Sequence, residues 1–197
     1  MNKDKLKEIL MSDKPSELIR VNEEELFHYI VELGLCKGFN QNNPWHPYDV
    51  YEHTLHVVDN VANEYILRLA ALFHDLGKPY TYVEDDKGIG HFPEHYLYSR
   101  AIFYKHAFQE NYDEYIRETV ASLVYYHDIN LDNINTSDLS TMLQSLDRKS
   151  AERLFELKRA DLLAQNPIYH ESKLLDYDRQ EKNILENYRD LKLGRHM

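Results

Sequence analysis

"LAALFHDLGKP", residues 69–79, says more about the architecture than any other part of the chain. From Ile66 to Phe73 the residues are almost purely apolar, as in a helix buried on every side. The run then presents His74 and Asp75 side by side. Gly77 and Pro79 follow, which reads as a helix stop signal. A buried helix that ends in an imidazole and a carboxylate has to supply partners for both, because an unpaired buried polar group is costly.

Working outward from this segment, the sequence reads as helix after helix. Residues 23–33 form a short amphipathic helix led by Glu23, Glu24 and Glu25, acids suited to a helix N-terminus. Residues 35–47 are a loop rich in turn formers. From Tyr48 to about Ala62 the residues Val50, Thr54, Val57, Val58 and Val61 recur at helical spacing, and the buried run occupies 64–76. Further helices are predicted at 94–109, 112–127, 137–146 and 149–165, the last capped by Asp147. A long one follows at 171–192, with Leu174, Tyr177, Ile184, Leu185, Tyr188 and Leu191 along one stripe. The fold class is all-α, a helical bundle with one short irregular or hairpin excursion near residues 80–92. The organisation is an N-terminal helical arm (1–39, its first 20 residues loosely attached), a central domain (40–168) and a C-terminal helix packed on that domain (169–197).

Bulk properties narrow the function. The chain has 197 residues and a formal charge of -11, with one cysteine, 16 tyrosines and 11 histidines. So acidic a surface argues against an extended nucleic-acid interface, which needs basic residues against phosphates. It leaves room for an enzyme that takes a nucleotide into a metal-lined pocket. A lone Cys36 fits a reducing, cytoplasmic setting. The first residues have no apolar signal-peptide core, and no run reaches the roughly 20 apolar residues of a membrane span.

Four predicted helices carry a metal-type ligand on an apolar face. His53 lies three after Val50 and four before Val57, and His74 and Asp75 end the buried run. His127 follows Val120, Leu123 and Val124, while Asp161 follows Leu154 and Leu157. Residues at these offsets share a face. Taken singly, each histidine fits a hydrogen-bonded core role. Together, buried acids and imidazoles from separate helices satisfy one another through a shared cation, and Zn, Mn, Fe, Co and Ni all suit such ligands.

His53, then His74-Asp75, then Asp161 resembles the H…HD…D signature of the HD-domain metal-dependent phosphohydrolases. The blocks "YDVYEHTLHVVDNV", "LRLAALFHDLGKPYTY", "HFPEHYLYS" and "KRADLLAQNP" resemble the HD domain attached to bacterial tRNA nucleotidyltransferases, over roughly residues 40–168. A second doublet, His127-Asp128, lacks the Gly-Lys-Pro that follows the first. The resemblance implies a bundle of the HD type and a divalent transition-metal ion, with Mg also possible. It further implies that His95 and His127 hold a second ion, bridged to the first by Asp75 or Asp161. No nucleotidyltransferase part precedes residue 40, so the chain reads as an HD domain standing alone. Deoxynucleoside monophosphates are expected to be poor substrates, because Lys78 stands where the subgroup that hydrolyses them has an acid.

The expected activity is hydrolysis of a phosphoester bond, mono- or diester, in a nucleotide or related small phosphorylated substrate by a metal-activated water. Asp75 would orient or deprotonate that water, and Lys78 and Arg100 would meet phosphate oxygens. The alternative is a non-catalytic metal-containing HD module that binds a nucleotide or RNA end. Weaker candidates around the site are His56, His91, Arg159, Asn166, Trp45 and Tyr48, each of which also has an ordinary packing, capping or surface role.

Overall fold

The computed structural model describes residues 1–194, so residues 195–197 of the expected C-terminal segment lie outside the described residues. Four short helices open the chain: α1 (Lys3–Leu10), α2 (Pro15–Val21), α3 (Glu23–Tyr29) and α4 (Val31–Cys36). Next come α5 (Val50–Asn60), α6 (Tyr65–Phe73) and the one-turn α7 (Lys78–Thr81). A two-stranded antiparallel hairpin, β1 (Val83–Glu84) and β2 (Gly90–His91), pairs Val83 with His91 and Glu84 with Gly90. The remainder is α8 (His95–Gln109), α9 (Glu114–Tyr126), α10 (Thr136–Ser145), α11 (Arg148–Leu163), a 3-10 turn (Pro167–Tyr169), α12 (His170–Glu186) and α13 (Tyr188–Lys192). The fold is all-α, and the expected excursion is this hairpin.

The organising element is α6. Every residue from Ile66 to Phe73 is buried, and the helix packs against α1, α5, α8, α9 and α11. Burying each large apolar side chain contributes roughly 1.5–3 kcal/mol, so this segment cannot lie at the surface. Arg68, the one charged residue in it, is buried too. Its Nη1 donates to the carbonyls of Leu10 and Ser12 at the end of α1, where helix carbonyls lack partners. With Leu6, Ile9, Leu10 and Ile19 fully buried, the first 20 residues belong to the core and are not a loosely attached arm.

Side-chain caps fix the helix starts: Asp49 accepts from Glu52 N, Asp113 from Ile116 N, and Asp147 from Ser150 N, as expected for the last. Two predicted helices are interrupted. The segment 23–33 breaks at Ile30, and 171–192 breaks at Asn187, whose side-chain amide donates to the Asn183 carbonyl in competition with the helix ladder.

Gly77 differs from its sequence reading. Its φ is -80° rather than left-handed, and the chain continues directly into α7. Its function is close approach, since a Cβ there would lie 2.2 Å from the His95 carbonyl oxygen and 2.7 Å from Ser99 N. The Gly77 N–H donates to Ser99 Oγ at 2.8 Å. The turn carrying His74 and Asp75 is thereby pressed against the first turn of α8. Gly77→Ala should force that backbone contact apart and destabilise the protein by about 1–3 kcal/mol. An unchanged urea midpoint in the variant would contradict this account.

Candidate metal centre

Separate elements bring the polar residues together. His53 sits mid-helix on α5, and His74 and Asp75 occupy the turn after α6. His95 opens α8, His127 ends α9, and Asp161 lies in the last turn of α11. Glu94, in left-handed backbone (φ 57°), turns the chain from the hairpin into α8 and starts that helix at His95. His53, His74, Asp75, His95 and His127 are all buried, while Asp161 keeps 19% of its side chain exposed.

The histidines share one hydrogen-bonding pattern. Nδ1 of His74 donates to the Ala71 carbonyl (2.7 Å), that of His95 to Phe92 (2.9 Å) and that of His127 to Val124 (2.7 Å), each three residues back. His53 Nδ1 faces the Ala164 carbonyl at the end of α11, at 3.4 Å. A carbonyl can only accept, so each Nδ1 carries the hydrogen and the neutral ring presents a lone pair at Nε2.

Those lone pairs converge. Nε2 of His53 and His74 are 3.4 Å apart, and Nε2 of His95 and His127 are 3.2 Å apart. The Asp75 carboxylate lies between the two pairs. Its Oδ2 is 3.4 Å from His53 Nε2 and 3.3 Å from His74 Nε2, and its Oδ1 is 3.2 Å from His95 Nε2 and 3.5 Å from His127 Nε2. Asp161 Oδ1 is 3.0 Å from His53 Nε2. Both Asp75 oxygens are buried without a partner in hydrogen-bond geometry, although Lys78 Nζ stands 2.6 Å from Oδ2. Two carboxylates and four lone pairs thus face one buried ammonium, an arrangement that calls for more positive charge. Three groups of ligand atoms lie within 4.8 Å of one another: His53, His74 and Asp75; Asp75, His95 and His127; and His46, His53 and Asp161. Each could hold a divalent ion.

The proton affinities record the same crowding of negative charge, with a proton on His74 Nε2 competing for the lone pair that an ion would use. Burial opposes charge on His74, but the Asp75 carboxylate outweighs it and raises the imidazole above its ordinary value. Burial likewise opposes ionisation of Asp75, yet the charges of His74 and Lys78 hold its carboxyl well below the usual range. Asp161 is held low in the same way, against burial, chiefly by His53. Burial pushes His46 down to about 3, with Lys78 adding to the effect.

His46 was not legible as a site residue. It lies in the 35–47 loop, where no helical face marks it, and its flanking Pro44 and Pro47 were the available sign of a rigid presentation. The loop is tied down from the opposite side, because Asn166 donates its backbone N–H to the Trp45 carbonyl and its side-chain amide to Pro44. A cleft of about 290 Å³ opens onto the centre, lined by Trp45, His46, Asp75, Lys78, Phe92, His95, His127, Asp128 and Asp161 among others.

Lys78 is buried rather than solvated at a helix end, and it also donates to Gln41 Oε1 at 2.8 Å. Arg100 is not brought to the cleft, since its guanidinium stacks on the rings of Tyr104 and Tyr125 (5.6 and 4.7 Å). His56 is exposed and stacked on Tyr48, away from the ligands. His91 reaches the cleft wall and pairs with Asp85, and Arg159 pairs with Asp178 and Glu181 on α12.

Lys158, one turn before Asp161, donates to the carbonyls of His127 (2.7 Å) and Ile129 (2.9 Å) and so holds the end of α9. Compared with known proteins, residues 46–176 match the model of the family described as the HD domain, and no curated protein matches the chain.

Burial lowers the Lys158 pKa to about 8. Below pH 8 the ammonium is charged in both folded and unfolded chains and its desolvation cost is fully present. Between pH 8 and about 10.4 the unfolded chain binds more protons, so this residue makes stability rise with pH. Lys158→Met should flatten that rise when unfolding is measured across the interval, and an identical pH profile in the variant would contradict the assignment.

Proposed function

The chain belongs to the HD domain family, and from that membership we propose that it hydrolyses a phosphoester bond in a nucleotide or related small phosphorylated substrate. Members of the family are generally metal-dependent phosphohydrolases. The observation that carries the reading is the convergence of four imidazole Nε2 atoms on the buried Asp75 carboxylate, which has Lys78 as its one cationic neighbour. The likeness of the four motif blocks to the HD domain of tRNA nucleotidyltransferases supports a nucleotide as substrate. The isolated, buried Cys36 supports a cytoplasmic setting. No helix among the described residues is long and apolar enough to cross a membrane. The match over 46–176 supports treating 40–168 as the metal-binding unit, with 1–39 and 169–197 as its flanks.

In this reading His53, His74, Asp75 and Asp161 hold one divalent ion, with His46 beside them. Asp75, His95 and His127 hold a second. Bound there, a divalent ion lowers the pKa of water and polarises a phosphoryl oxygen. The protein's own groups do the rest. The Nδ1–H bonds to backbone carbonyls fix each ring's orientation and tautomer. Asp75, reaching both ligand groups, would orient or deprotonate the attacking water. Lys78, held within the cleft by Gln41, is the cation that meets a phosphate oxygen once Asp75 is engaged elsewhere. The phosphate-binding role expected of Arg100 is dropped, because its guanidinium is committed to two tyrosine rings.

Asp161→Asn keeps size and hydrogen bonding but removes a ligand charge. It should lower metal content, cut phosphate release at least about tenfold and shrink the gain in thermal midpoint on adding Mn or Zn, since a ligand bound only by the native state stabilises it. Wild-type occupancy and rate in this variant would overturn the assignment. At saturation the wild type should bind two ions per chain and His95→Ala one. A wild type that never exceeds one would reject the second site.

A further inference from the structure

The second doublet, His127-Asp128, faces two ways. His127 is buried with its Nε2 toward Asp75, while Asp128 is exposed. Asp128 also lines the metal cleft and a second hollow of about 600 Å³, as well as another against the hairpin. The second hollow is built from the start of α8, the end of α9, the 127–135 loop and α10. Three tyrosines form its aromatic wall. Tyr96 and Tyr125 pack edge to face at 5.2 Å, as do Tyr125 and Tyr126 at 4.7 Å. Asn130 and Asp138 contribute polar groups, and no Lys, Arg or His lines it among the described residues.

These features select among ligand parts. With Asp128 and Asp138 in its described lining, the hollow disfavours phosphate, so the phosphate belongs on the metal side of Asp128. Its size suits a nucleoside and far exceeds a simple alkyl leaving group. A tyrosine face stacks on any base, a part that falls to Tyr96 and Tyr126 because Arg100 already lies over Tyr125, and an amide side chain reads a base edge. A carboxylate at the junction accepts hydrogen bonds from hydroxyls, and the ribose lies between base and phosphate.

The geometry points to the tyrosine hollow as the seat of the substrate's nucleoside, with Asp128 accepting from both ribose hydroxyls and thereby preferring ribonucleosides to 2′-deoxyribonucleosides. This rests on the phosphohydrolase reading above for the placement of the phosphate, but the nucleoside contacts themselves are independent of turnover. The doublet then has a divided task, its histidine turned to the metal and its carboxylate to the sugar.

The test uses the full chain with adenosine and 2′-deoxyadenosine as probes, titrated by calorimetry. Adenosine should bind, and 2′-deoxyadenosine should bind about tenfold more weakly, as expected for losing one hydrogen bond to a charged group. Asp128→Asn, a surface substitution, should abolish the difference between the two. Equal binding of both probes by the wild type, binding of neither, or an unchanged preference in Asp128→Asn would overturn the proposal. Phosphate release by the wild type from p-nitrophenyl phosphate, which has no ribose, reports the chemistry separately. Release without ribose preference sinks this inference alone, whereas ribose preference with no release from any ester sinks the phosphohydrolase reading and leaves the nucleoside seat standing.

Discussion

Everything at this site depends on where the imidazole N–H groups are spent. Helix ends leave carbonyls without partners. Ala71 and Val124, the carbonyls that His74 and His127 satisfy, are both of this kind, each in the last turn of the helix its histidine terminates. The same bond that finishes the helix commits Nδ1–H and turns an unprotonated Nε2 inward. Secondary-structure termination and ligand preparation are therefore a single interaction. His95 does the equivalent at a helix start, using the Phe92 carbonyl just before it.

The second constraint is distance. Asp75 can serve both pairs of histidines only if the turn after α6 touches the first turn of α8, and that contact tolerates no side chain at Gly77. The core enforces the rest. Because α6 is buried on all sides, its C-terminal turn emerges in the interior rather than at the surface, and α5, α9 and α11 each arrive with a polar residue facing it. The hairpin is held against the 41–42 loop by the bond from Gly90 N to the Asn42 carbonyl, so the cleft has a fixed rim on that side.

How much of this could be read in the sequence follows from periodicity. His53, His74, His127 and Asp161 were legible because apolar neighbours at helical offsets declare which way each side chain points. His95 was legible only through the family likeness, since it is the first residue of its helix and has no preceding turn to define a face. His46 lies in a loop, where spacing carries no orientation at all, and it was missed. Gly77 was identified as important for the wrong reason, because a sequence does not reveal which distant backbone will lie against a residue. The N-terminal helices looked peripheral because their few apolar residues are scattered over short elements. Arg68 ties the end of α1 to the core, and its bond partners fifty-odd positions away are invisible to local pattern.

The spacing of the ligands along the chain has a consequence for biogenesis. His53 and Asp161 meet at 3.0 Å only when α5 and α11 have both been made and packed. A nascent chain that has completed α6 and the turn after it carries Asp75, whose buried setting needs α8, α9 and α11 to close over it. Loop closure of that length is slow relative to local helix formation. Until synthesis passes residue 161, the most apolar helix of the protein has no complete cover and no complete ligand set. The cluster of buried histidines and carboxylates is thus a late product of synthesis, and the interval before it forms is when the apolar surface of α6 is most exposed to aggregation.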